Sequence, residues 1–343
     1  MRAVLLSRFH HLDRAKPVGG RAAGDHDGDR GAELVGEHQP RHDADARPQN
    51  KFHNLAARLH GLHVLRMLAL FVPTLGLELP SPASVVVVGG SSGMGKALAT
   101  SVVQRGGRVL LASRSASKLK AAATEILTET GCVDVTAVAT YVVDASDENQ
   151  MVALADSLPL HEWDGLVVSA AGSAPHGPIT KLPTSDTEAL FGSKFWSAYH
   201  ACKHIGPRLA DGGAVALVAG VLNRRPGINC VPLATVNGAL EGLTRSLALE
   251  FGPRLRVNCL SPGFCDTERF DRMEPSKKAA MLSSTAASLP LQRTGEPADM
   301  GYALDYLLCS QFTTGVVLDC DGGHHIRQYA SVVGDPMRSF GGN

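Results

Sequence analysis

The chain has 343 residues and carries 33 basic and 33 acidic side chains, so its formal charge is zero. That balance gives no reason to expect nucleic acid or an anionic membrane as a partner. Hydrophobic residues make up 44%, the content of an ordinary globular protein with material for one large domain or two small ones.

The first eighty residues differ from the rest. Eight of the 14 histidines precede residue 64, and no cysteine does. Residues 13–51 mix Arg, Asp, Gly, His and Pro without apolar periodicity, which predicts disorder. The opening Met1–Phe9 resembles a transit peptide, but Asp13, Asp25, Asp27, Asp29, Glu33 and Glu37 follow, and such peptides are poor in acids. Residues 62–79 are apolar but interrupted by Arg66 and Pro73, short of the ~20 residues a membrane span needs. A short docking helix is expected there, and no membrane association. Seven scattered cysteines (132, 202, 230, 259, 265, 309, 320) show no Cys-x-x-Cys spacing. They predict free thiols in a reducing, cytoplasmic setting and no metal site. The expected organisation is an extension over 1–80, a folded domain over 81–330 and a tail over 331–343.

Within that domain, Ser84–Val88 holds four consecutive valines, the pattern of a strand buried on both faces. Gly89, Gly93 and Gly95 follow, then helical periodicity to about Gln104. A glycine turn between a strand and a helix lets backbone approach a pyrophosphate and presents a helix N-terminus to it. Further strands are predicted at Arg108–Arg114, Val133–Val143, Gly165–Ser169, Ala214–Val218, Leu255–Leu260 and Val316–Leu318. Helices are predicted at Ser115–Thr130, 147–158, Thr187–Leu209, Ala234–Phe251 and Pro297–Leu308. This alternation argues for a parallel sheet covered on both faces.

Six pieces in order resemble the short-chain dehydrogenase/reductase family over residues 84–326. They are Gly89-Gly-Ser-Ser-Gly-Met-Gly95, Asp144-Ala145, Ala171-Gly172, Ala239-Leu-Glu-Gly-Leu-Thr-Arg-Ser-Leu-Ala-Leu-Glu250, Arg256–Gly263 with Thr267, and Asp321-Gly-Gly323. The resemblance implies an α/β fold: one three-layer, Rossmann-type, doubly wound domain with a substrate loop at about 264–296. It also implies cofactor contacts at Gly89, Ser91, Ser92, Gly93, Met94 and Gly95 in the turn. Further contacts fall at Asp144 and Ala145, Ala171 and Gly172, and Pro262, Gly263 and Thr267. At the end of the second strand, Ser113 stands where an acid would bind the adenosine ribose, and Arg114 offers a planar cation suited to a 2′-phosphate, the alternative being a surface charge flanking the next helix. NADP(H) is therefore the expected cofactor. A homo-oligomer through helices 187–209 and 234–251 is likewise implied, with Ala239, Leu240, Leu243, Leu247 and Ala248 offering an apolar stripe that would face a partner or the sheet.

The chain departs from the family where chemistry is concerned. The Tyr-x-x-x-Lys positions fall on Leu233 and Asn237, and the serine position falls on Gly220. No tyrosine lies between Tyr199 and Tyr302, no lysine between Lys203 and Lys277, and residues 212–232 hold no Ser, Thr or Tyr. Counting back from Pro207-Arg208-Leu209 puts Lys194 where the family has its asparagine. Lysine and amide thus stand exchanged, which predicts that Lys194 supplies the positive charge and a proton, while Asn237 hydrogen-bonds the ribose. A solvated Lys194 on the helix surface is the alternative. Leu222 and Pro232-Leu233, with Phe195 and Trp196, would form an apolar wall that Cys230 could join; the alternative is that the two aromatics and the thiol are simply core. Two functions follow. One is an atypical NADP(H)-dependent oxidoreductase acting on a small apolar carbonyl or conjugated substrate. The other is a catalytically inactive NADP(H)-binding pseudoenzyme that senses or scaffolds.

Overall fold

A computed structural model describes residues 84–327. The expected 1–80 extension, the apolar 62–79 segment and the 331–343 tail lie outside the described residues.

Seven strands form one all-parallel sheet: β1 (Ser84–Val88), β2 (Arg108–Ser113), β3 (Val138–Val142), β4 (Gly165–Val168), β5 (Ala214–Val218), β6 (Arg256–Pro262) and β7 (Val317–Cys320). Their order is β3-β2-β1-β4-β5-β6-β7. Chain direction across the sheet reverses between β1 and β4, and ligands of such sheets bind at the carboxyl ends of the strands flanking that reversal. The valines of β1 explain its central position. Val85 and Val87 enter one core with α1 (Gly93–Gln104), α2 (Ala116–Thr130) and α8 (Pro297–Cys309). Val86 and Val88 enter the other with α3 (Glu148–Ser157), α5 (Ser197–Ile205) and α6 (Val231–Phe251). Both faces are apolar because both are covered.

Local signals account for the element ends. The Ser115 side chain accepts from the Lys118 N–H and caps α2, and Gly131 closes it in the left-handed conformation. Asp147 caps α3 through the Asn149 and Gln150 amides. The third strand starts later than expected, because Asp134 caps a 3-10 turn over Val135–Ala137 and leaves Val133 and Val135 exposed.

The first long helix is also interrupted. It comprises α4 (Thr184–Phe191), a π-helical turn at Gly192–Trp196, and α5. The predicted substrate loop contains the helix α7 (Pro275–Ser288), none of whose residues is buried, so it had no apolar face to announce it. The α6 stripe faces the sheet: Leu240 is buried in the core, and Leu243, Leu247 and Ala248 pack against it. No described helix is long and apolar enough to cross a membrane. Among the described residues no cluster of His, Cys, Asp and Glu is placed to hold a metal ion.

Candidate active site

The glycine turn runs from the end of β1 into α1 and is fixed by close approaches. Gly89 has φ +92°, and a Cβ there would meet the Ala170 backbone nitrogen at 2.6 Å. A Cβ on Gly95 would meet Ser169 Oγ at 2.5 Å and the Gly89 carbonyl at 2.8 Å. Only glycine lets the turn, the helix start and the end of β4 come this close. Ser169, which sequence reading passed over, packs in this junction and donates weakly to the Val88 and Gly89 carbonyls.

Ser92 is the N-cap of α1, yet its hydroxyl makes no cap bond. The side chain of Met94 is partly buried and packs against the core. Gly93 touches Thr267, whose Cγ2 would lie 3.4 Å from an added Cβ. A Cβ on Gly263 would lie 2.6 Å from Asp321 Cα, and Pro262 is buried at the end of β6. Thus the glycine turn lies at the carboxyl end of β1 and touches Thr267, while Pro262 and Gly263 stand at the carboxyl end of β6 on the same edge of the parallel sheet. Asp144 Oδ1 accepts from the Ser146 amide and hydroxyl, and Ala145 is buried. Ala171 and Gly172 lie near the start of the loop that follows β4. There the Gly172 amide donates to Ser193 Oγ at 3.0 Å, tying the loop to the π turn.

At the end of β2 the Ser113 hydroxyl is buried without a hydrogen-bond partner. Arg114 beside it is exposed and forms no ion pair or hydrogen bond with the described residues. An orphaned hydroxyl, an unspent cap hydroxyl and a free guanidinium around a glycine turn fit the phosphates and ribose of a dinucleotide.

Lys194 lies in the π turn, and 7% of it is exposed. Its Nζ donates to Asn237 Oδ1 at 2.6 Å and to the Ala219 carbonyl at 2.7 Å. Asn237 Nδ2 in turn donates to the Gly220 carbonyl at 3.0 Å. Lysine is a donor only, so its contact fixes which end of the amide faces it. The ammonium thus has two neutral oxygens as partners and a third N–H without an acceptor among the described residues. Burial pulls its pKa down to about 8; a weak pull upward from the Cys259 side and a push down from Arg269 are smaller. Cys259 contributes no negative charge near neutrality, since burial pushes its thiol up to about 12.

Asn237 is 1% exposed, with both ends of its amide engaged inside the protein. It holds Lys194 and has no end turned outward to a ribose. Its Nδ2 lies 2.8 Å from where a Gly220 Cβ would be, so the amide fills the room that a serine side chain would need. Leu233, at the tyrosine position, is half-buried. Leu222 and Cys230 pack around Gly227. The expected wall from Phe195 and Trp196 is not formed. Phe195 packs on the core beneath the helix, and Trp196 is 45% exposed in a ladder with Tyr199 and His200. His200 turns toward the Ala145 carbonyl, while His325 pairs with Asp321 at 2.7 Å. Neither is bonded to Lys194.

A doubly wound sheet with a glycine turn at its strand reversal defines a nucleotide-binding α/β protein. The family described as "Enoyl-(Acyl carrier protein) reductase" matches residues 88–325. An uncharacterized oxidoreductase of Mycobacterium tuberculosis is 31% identical over 75% of this chain and 97% of the relative. A small-chain dehydrogenase in complex with NADPH is 29% identical with TM-score 0.59, over 71% of this chain and 99% of the other. A short-chain oxidoreductase from Pseudomonas aeruginosa containing an atypical catalytic center is 26% identical with TM-score 0.63, over 72% and 98%. The chain belongs to the short-chain dehydrogenase/reductase family and is an oxidoreductase of that type.

Proposed function

We propose that this protein is an NADP(H)-dependent reductase in which Lys194 does the work of the missing tyrosine. The observation that carries the proposal is the buried Lys194 ammonium, held by Asn237 and Ala219 with one N–H to spare. Gly89, Gly93 and Gly95, with Ser91, Ser92 and Thr267, would hold the diphosphate. Ser113 and Arg114 would hold the 2′-phosphate, and Asp144, Ala145, Ala171, Gly172, Pro262 and Gly263 would line the rest. NADPH, which the 29%-identical small-chain dehydrogenase binds, would supply a hydride at the carbonyl carbon of the substrate. Lys194 gives its third N–H to the carbonyl oxygen, stabilises the negative charge that develops there, and transfers its proton to that oxygen. With a pKa of about 8, the amine regains a proton from water at neutral pH. Asn237 and Ala219 keep the ammonium aimed.

Turnover of NADPH with one of a panel of small ketones, quinones and enones is the direct test. Tight NADPH binding with no turnover on the whole panel would favour the inactive sensor or scaffold, for which Leu233 and Gly220 speak. Cofactor choice has its own test. Arg114→Gln is expected to weaken NADPH binding about tenfold while leaving NADH within twofold, since only the former bears the phosphate that a guanidinium grips. Equal weakening of both in a fluorescence titration would remove Arg114 from that role.

A homo-oligomer would form through the outer faces of the π turn with α5 and of α6, where Trp196, Tyr199 and Leu249 are exposed. Sedimentation is expected to give a dimer or larger, and a monomer alone would remove this expectation. A cytoplasmic setting fits seven free cysteines.

A further inference from the structure

Glu268 follows Thr267 directly and begins a single 3-10 turn, Glu268–Phe270. Its Oε2 accepts the Gly93 backbone N–H at 2.8 Å, and its Oε1 pairs with Lys96 Nζ at 2.8 Å. Lys96 is shared with Glu125 at 2.9 Å. Gly93 is the first residue of α1, and its φ is +56°. The N–H groups of a first helical turn have no acceptor within the helix and attract an anion. A carboxylate reaching 175 residues along the chain takes one of them here.

The neighbouring residue fastens the same loop on the other side. Arg269 donates through one Nη to the Gly172 carbonyl at 3.1 Å, just beyond the carboxyl end of β4. Two consecutive residues therefore span the crevice at the strand reversal. Glu268 holds the β1 side and Arg269 the β4 side. Burial lowers the Arg269 pKa, and no carboxylate pairs with it among the described residues.

We infer that Glu268 is an internal competitor of the cofactor diphosphate, a carboxylate latch that holds the substrate loop across the crevice and gives way when the dinucleotide enters. This rests on the reading above that the crevice takes NADP(H). The Gly93 N–H is one of the groups assigned to the diphosphate above, with the Lys96 ammonium three residues along, and a carboxylate already bonded to both repels a second anion brought to the same turn. Cofactor entry and release of the loop are therefore one event. Arg269, freed from Gly172 by the same movement, is left facing the incoming negative charge. The glycine turn binds more weakly than its donors alone would allow.

The test is Glu268→Gln, which keeps the size and removes the charge, alongside Glu268→Ala. NADPH is expected to bind both variants about tenfold more tightly than wild type, since a charge-assisted bond no longer opposes it. In cofactor-free protein the Gly93 amide is expected to exchange its hydrogen faster in Glu268→Ala than in wild type. Equal or weaker NADPH binding by both variants, or unchanged Gly93 exchange, overturns the latch while leaving the cofactor reading intact. No NADPH binding by any of the three proteins overturns the cofactor reading itself.

Discussion

Replacing Lys194 by methionine is expected to lower kcat roughly 10²–10⁴-fold, the usual contribution of a positioned proton donor. NADPH affinity should change by less than about threefold, because none of the groups assigned to the diphosphate or the 2′-phosphate is touched. Methionine preserves length and apolar volume, so a loss of activity is not a loss of packing. It leaves two carbonyl oxygens without their donor, and a modest loss of stability is expected with it. The pH profile separates chemistry from structure. Lys194 carries a proton to give only below its pKa of about 8, so wild-type kcat should fall about tenfold for each pH unit above that value. The residual rate of Lys194→Met should show no such step. A wild-type profile flat from pH 7 to 10, or a variant with wild-type kcat, would remove Lys194 as the donor.

The same lysine predicts a pH-dependent stability of defined sign. The unfolded side chain keeps its proton up to the ordinary 10.5, while the folded one loses it near 8. Between these values the unfolded state binds more protons, so stability rises with pH across that window. The gain is on the order of 3 kcal/mol at most. Measured as the difference between wild type and Lys194→Met, it should emerge only above about pH 8.

Much of this site could be read from the sequence because it rests on backbone. Val85–Gly95 announces a strand, a turn and a helix, and at Gly89 and Gly95 an added Cβ would come within 3 Å of neighbouring atoms. Lys194 and Asn237 were found by counting along helices, since both belong to regular elements with fixed spacing. Other features had no such signal. A π turn interrupts the long helix at Gly192–Trp196, and there Phe195 packs on the core while Trp196 is exposed; apolar character alone does not say which of these places an aromatic takes. Glu268, Arg269 and Ser169 act through contacts with segments far away in sequence, and nothing in their local pattern names those partners. Helix α7 buries nothing, so the hydrophobic periodicity by which helices are recognised was missing. The ribose role expected of Asn237 depended on which way its amide points. That is set by a donor on another helix.

Restoring the family's serine at Gly220 is expected to damage the protein and not to improve it. A Cβ at this position would lie 2.8 Å from Asn237 Nδ2, closer than real Cβ contacts come. The amide cannot retreat cheaply. It is 1% exposed, its oxygen is bonded to Lys194 and its nitrogen to the Gly220 carbonyl. Gly220 also has φ +155°, which side-chain-bearing residues seldom adopt. Overpacking and backbone strain together predict that Gly220→Ser costs about 2–4 kcal/mol in denaturant unfolding. In an Asn237→Ala background the amide is gone, and the same substitution should cost at least about 1 kcal/mol less, the difference measuring the coupling of the two positions. Equal cost in both backgrounds would place the strain in the backbone alone. The exchange of lysine and amide in this site is thus a concerted change. Asn237 occupies the space the serine left, its oxygen takes up the ammonium of Lys194, and a glycine at 220 is what lets it do so.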